Sequence, residues 1–243
     1  MRRAAPDPSD VHRRLLAGYG PQGWWPVTPL TGGPPVYEPG RTRPLREEER
    51  VEICVGAILT QNTNWGNVER ALAALRLSTP RLAWLDLAEM PSRRMQAAVR
   101  PSGYFRQKTR KLKVFARAAL SRGGDTGEWL SSGSMAARRE ELLGLWGVGP
   151  ETADSILLYA GERPSCVVDA YTRRIGERLG WWRGPSYDEA RDFLVRRLPS
   201  ERGLYAESHA LFVRLAKESC RVRPDCGSCL LRPVCAHAAR ARS

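Results

Sequence analysis

The sequence predicts an all-α fold. Apolar residues recur at helical spacing through most of the chain, and no segment alternates apolar and polar residues as a strand does. Glycine–proline punctuation at Gly20-Pro21 and Gly147–Pro150 supplies the stops between helices. The 243 residues hold no internal repeat at a fixed period and no long linker, and that length suits one large domain or two small ones. Hydrophobic residues make up 42%, enough for a packed core.

Element by element, residues 10–18 form a short helix that stops at Gly20 and Pro21. Residues 21–44 are rich in proline and glycine and carry Trp24, Trp25 and Tyr37, so they form an ordered loop. Residues 46–60 run charged first and then apolar (VEICVGAILT), as a buried helix does. Further helical patterns cover 65–77, 81–88, 92–99, 104–121 and 135–145. Then come Gly147-Val148-Gly149-Pro150 and a helix over 151–159. The apolar stretch Cys166-Val167-Val168 leads to Asp169 and a helix to about residue 179, followed by helices at 187–198 and 201–219.

The formal net charge is +13 and the pI about 10.1. A protein this basic commonly meets a polyanion, nucleic acid above all; a basic surface without a partner is the alternative. Almost all of the charge is arginine, because Lys108, Lys111, Lys113 and Lys217 are the only lysines. No apolar stretch approaches the ~20 residues of a membrane helix, and the N-terminal MRRAAPDPSD has no apolar signal core. A cytoplasmic protein with no membrane partner is expected, in a compartment where disulfides are rare. Cys54 and Cys166 then read as small buried hydrophobes.

Four cysteines crowd the C-terminal end. Five residues separate Cys220 from Cys226, two separate Cys226 from Cys229, and five separate Cys229 from Cys235. Thiols this close make two good disulfides difficult. Four thiolates suit zinc or an iron–sulfur cluster. In the glycine turn, two glycines one residue apart permit close approach of another backbone, and Pro150 suits the first turn of the next helix. The free N–H groups of that helix start would attract a phosphate. An ordinary glycine stop between packed helices is the plainer reading of such a turn.

Four motifs occur in order: LTQNT at 59–63, LWGVGPETA at 145–153, VVDAYTRR at 167–174, and the terminal cysteines. Together they resemble the helix-hairpin-helix DNA glycosylases of the endonuclease III superfamily, over roughly residues 46–235. The resemblance implies two helical lobes with damaged double-stranded DNA bound across the cleft between them. It implies a six-helix barrel-like domain over 42–163 that carries the hairpin, and a second helical domain made of 1–41 and 164–243 that carries the cysteines. A monomer is expected.

The resemblance also implies roles. Asp169 matches the catalytic aspartate, whose carboxylate would stabilise the positive charge on the sugar and position water; capping the helix that starts at Ala170 is its structural alternative. Gln61 matches the glutamine that fills the space left by a flipped nucleotide, with Asn62 beside it. Gly147, Val148, Gly149 and Thr152 would hold the DNA backbone, aided by Arg221 and Arg223. The basic run Arg106 to Lys113 is a further candidate for phosphate contacts, or else a solvated helix face. The four cysteines would bind a [4Fe-4S] cluster, and the hairpin a monovalent cation; the family spacing of six, two and five is one residue longer than here.

One departure is informative. The hairpin lysine that forms a Schiff base in bifunctional members is replaced by Glu151, which cannot form one. A monofunctional enzyme using water is therefore expected, with lyase activity weak or absent. The pair Trp24-Trp25 before Pro26, with Glu151, would line the base pocket and resembles the 3-methyladenine branch, since indole faces attract a cationic methylpurine by ~0.5–2 kcal/mol. Packing of the N-terminal segment on the core is the alternative for both tryptophans. A glycosylase/lyase for oxidised pyrimidines, a non-catalytic DNA-binding protein and a zinc-binding regulator are the competing functions.

Overall fold

The computed structural model of the chain describes residues 4–240. In chain order its helices are α1 (Pro8–Tyr19), α2 (Glu47–Leu59), α3 (Trp65–Ser78), α4 (Trp84–Glu89), α5 (Ser92–Val99), α6 (Phe105–Leu120) and α7 (Thr126–Ser131). They continue as α8 (Met135–Leu143), α9 (Pro150–Ser155), α10 (Ala170–Leu179), α11 (Tyr187–Val195), α12 (Arg202–Glu218) and α13 (Ala236–Arg240). A buried π-helical stretch, Ile156–Ala160, extends α9. Among the described residues the only strand-like pairing is one antiparallel bridge between Val27 and Val36. No described helix is long and apolar enough to cross a membrane.

The chain forms two compact units. One spans Trp25–Arg163; the other joins the residues up to Trp24 with those from Pro164 on. Residues 25–41, expected with the second domain, therefore belong to the first. The reason is a set of buried contacts. Glu52 is wholly buried and accepts from the Thr28 N–H at 2.9 Å and the Thr28 hydroxyl at 2.8 Å, with Arg76 on its other oxygen. A buried carboxylate needs such partners, and they pin the proline-rich segment to α2.

Helix α2 is the centre of the first unit. Val51, Ile53, Cys54, Val55, Ile58 and Leu59 are buried around its circumference, so it has no polar face beyond its first turn. Each such side chain contributes about 1.5–3 kcal/mol by leaving water. Helices α3, α6 and α7 and the π-helical stretch pack on it. At Gly56 an added Cβ would meet the Trp25 indole at 3.3 Å, so the glycine admits the ring. Helix α7 was not anticipated: at six residues it is too short to show a period, and its start is fixed by Asp125, which accepts from the Glu128 N–H at 2.8 Å.

In the second unit α12 packs on α1 and α10, and α13 packs on α10. Helix α10 ends at Gly180, whose φ of +88° favours a residue without a Cβ. The chain then turns so that Trp182 lies against Gly176 and donates its indole N–H to the Arg173 carbonyl at 2.9 Å.

Candidate functional site

Asp169 caps α10, and its geometry leaves one oxygen over. Oδ1 accepts from the Thr172 N–H at 2.6 Å, while Oδ2 faces Nε2 of His209 at 3.7 Å. Both residues are buried. Burial by itself would raise this carboxyl; the His209 imidazole and the Thr172 N–H outweigh it, and the net effect is a lowered pKa. The cap orients the carboxylate and the histidine keeps it ionised out of water. His209 lies on α12, 40 residues further along the chain, and its surroundings in sequence (SHALF) look like plain core, so no local signal marks it. Trp24 stands edge-on to the His209 ring, 5.3 Å between centroids.

The tryptophan pair divides. Trp24 is half-buried in the unit of Asp169, whereas Trp25 is 6% exposed in the other unit, edge-on to Trp65 and tilted against Tyr159. Trp25 thus takes the packing role in the core.

The hairpin lies between α8 and α9. Gly147 has φ +89°, and the Val148 N–H closes the turn on the Leu145 carbonyl at 3.0 Å. Val148 is buried, and Gly149 precedes Pro150 at the start of α9. Arg139 of α8 forks onto the buried Asp154 of α9 at 3.0–3.2 Å, which ties the two arms. Glu151 is exposed in the first turn of α9, where the helix dipole favours an acid. Thr152, expected at the DNA backbone, is buried, and its hydroxyl accepts from the Gln61 amide at 2.9 Å. The same Gln61 NH2 donates to the Gly147 carbonyl at 3.1 Å, and its oxygen accepts from Lys111. Asn62 is exposed with φ +55°, a conformation asparagine tolerates.

The lysines of α6 differ from both expectations, phosphate contacts and solvated face. Lys108 is 2% exposed and donates to the Leu59 and Ser102 carbonyls at 2.7 and 2.5 Å. Lys113 donates to the Ala88 and Met90 carbonyls at 2.9 and 2.6 Å. Both close helix ends. A slim ammonium fits among backbone carbonyls where a planar guanidinium does not. In a chain with only four lysines, that choice was the available signal. Burial pushes the Lys108 ammonium down to about 8, with the Lys111 charge adding to it.

The four C-terminal cysteines border one cavity of about 20 Å³ together with Arg178 and Asp225. Among the described residues no group of three or more His, Cys, Asp or Glu has the arrangement of a bound metal ion. Four thiols facing one space nevertheless are the donor set of a four-thiolate group. Burial, and after it the neighbouring Cys220, Cys235 and Cys226 thiols, push the Cys229 thiol up against the opposing hydrogen bond to the Leu231 backbone. Arg178 clamps the loop, donating to the Cys220 sulfur at 3.1 Å and to the Arg221 and Val222 carbonyls at 2.6 and 2.9 Å. Arg221 is itself turned onto the Glu218 carbonyl at 2.8–3.0 Å, while Arg223 is exposed.

Sequence comparison gives the class to which this helical fold belongs, that of the base-excision DNA repair proteins. Residues 55–200 match the family described as HhH-GPD superfamily base excision DNA repair protein. A protein of Methanocaldococcus jannaschii provisionally named a DNA repair glycosylase is 37% identical over 227 residues, 93% of this chain and 94% of its own. The chain belongs to the HhH-GPD superfamily and is a DNA glycosylase of it. Its fold is shared by a non-covalent endonuclease III–DNA complex, with TM-score 0.75 at 19% identity over 97% of both chains. It is shared too by the H. pylori 3-methyladenine DNA glycosylase bound to 1,N6-ethenoadenine, with TM-score 0.67 at 23% identity over 88% of this chain and 98% of that one.

Proposed function

We propose that this glycosylase removes an alkylated purine such as 3-methyladenine from double-stranded DNA by hydrolysis, without a lyase step. Two separate observations carry the hydrolytic reading: the hairpin offers Glu151 where a lysine would be needed, and Asp169 is buried with its carboxyl held below the usual carboxylate range. Glutamate cannot form a Schiff base, and the ammonium groups of Lys108, Lys111 and Lys113 are spent on internal acceptors.

The chemistry needs little else. The bond between C1′ and the purine nitrogen breaks, and its electron pair leaves with the base. An N-alkylated purine is cationic while attached and departs neutral, so no general acid has to protonate it. The Asp169 carboxylate stabilises the positive charge left on the sugar and orients a water, which adds its oxygen to C1′ and releases a proton. His209 holds that carboxylate ionised. Trp24 beside His209 supplies an aromatic face for the base.

In this reading Gln61 enters the duplex as the nucleotide leaves, and the amide of Gly149 and the start of α9 receive a DNA phosphate. Cys220, Cys226, Cys229 and Cys235 hold a [4Fe-4S] cluster, which supplies structure at the C-terminal loop and takes no part in base release. The test is incubation of duplex DNA carrying methylated and oxidised bases, with freed bases identified by mass spectrometry. Release of 3-methyladenine or 7-methylguanine, lost in Asp169→Asn, supports the proposal. Release of oxidised pyrimidines alone refutes the substrate.

A further inference from the structure

The Gln61 side chain is tied at both ends. Its oxygen accepts from the Lys111 ammonium, and its NH2 donates to the Gly147 carbonyl at 3.1 Å and the Thr152 hydroxyl at 2.9 Å. These partners fix which end is which: an ammonium only donates and a carbonyl only accepts. All four residues lie in one compact unit. Lys111 is itself held, because its aliphatic stem lies over Gly147, where any Cβ would collide with Cγ, Cδ and Cε. Gly147 is therefore required twice, by its φ of +89° and by the passage of this lysine.

A side chain bonded in this way is not poised to enter a duplex; it must first leave three partners. We propose that Lys111 is a positioning residue that stows Gln61 against the hairpin, so that the glutamine enters DNA only when an opened base pair offers replacement hydrogen bonds. The inference rests on the reading of Gln61 as the residue that fills the vacated stack. Its consequence is selectivity: an intact pair offers the amide nothing, and the latch stays closed, whereas a damaged pair opens more readily and releases it. Lys111 touches neither sugar nor base in this scheme and acts through Gln61 alone.

The test is a double-mutant cycle read by 2-aminopurine fluorescence in an undamaged duplex at saturating protein. Lys111→Met keeps the stem over Gly147 and removes the ammonium. Several-fold higher fluorescence than wild type is expected for Lys111→Met, a signal near that of free duplex for Gln61→Ala, and no further change when Lys111→Met is added to Gln61→Ala. Equal effects of Lys111→Met in both backgrounds would mean that Lys111 contacts DNA directly, which overturns the latch. A Lys111→Met protein that opens pairs no more than wild type does overturns the latch, because removing the ammonium then frees no glutamine to enter the duplex. A second measurement needs no DNA. The Gln61 side-chain NH2 resonances should move to the free-amide position in Lys111→Met while the backbone amides of α6 stay in place. Unmoved Gln61 resonances refute the latch even if Gln61 does enter DNA.

Discussion

Nε2 of His209 stands 3.7 Å from Oδ2 of Asp169, with both residues buried and 40 positions apart in sequence. The imidazole opposes the burial that would otherwise raise the carboxyl. His209→Ala should therefore move the acid limb of the pH–kcat/KM profile for base release to higher pH, about tenfold in activity per unit on that limb. A limb that stays in place while the plateau falls would leave His209 a packing role only.

The same lowered pKa makes Asp169 a source of acid sensitivity. Its folded value lies below its unfolded value, so its contribution is present above the unfolded value of about 3.9 and is lost as pH falls through the folded one. Asp169→Asn keeps a capping side chain and removes the titration. Urea unfolding should show that the variant loses less stability than wild type between about pH 5 and pH 2, while base release is abolished.

Lys108→Met removes the donor from two carbonyls, Leu59 and Ser102. A loss of about 1–3 kcal/mol at neutral pH is expected. Because the folded-state value of about 8 lies below the unfolded value of about 10.4, the unfolded chain holds more protons between them. Wild-type stability should rise relative to the variant across that window. Denaturant melts at pH ~7 and ~9.5 read the difference.

Glu151→Lys restores an amine at the hairpin. Borohydride trapping on lesion-bearing DNA should give a covalent complex with the variant and little or none with wild type. Trapping of the wild-type protein at comparable yield would show that a different amine reaches C1′.

The cysteine loop predicts a brown protein with visible absorbance and with iron and acid-labile sulfide in equal amounts. Cys229→Ser should bleach it and lower its melting temperature. A colourless protein containing zinc would replace the cluster by a single metal ion.

Much of this architecture was legible in the chain. Helices α6 and α10 carry strong apolar periods, α2 reads as a continuous apolar run, and the hairpin declares itself by Gly147, Gly149 and Pro150. Asp169 was visible both as a cap and as the match to a motif. What the chain hid depends on contacts distant in sequence. His209 pairs across 40 residues, Lys108 closes a helix that ends 49 residues earlier, and adjacent Trp24 and Trp25 fall in different units. Local pattern records that a tryptophan is apolar or a lysine charged. It does not record which carbonyl lies at the end of the side chain.

The lysines have a practical consequence. Three of the four point their ammonium groups at internal acceptors, and only Lys217, near the end of α12, is exposed. An amine-directed dye should thus acylate Lys217 ahead of every other side chain. That places a fluorescent reporter, apart from any label on the chain's α-amino group, on the unit that carries the cysteine loop, with no thiol disturbed.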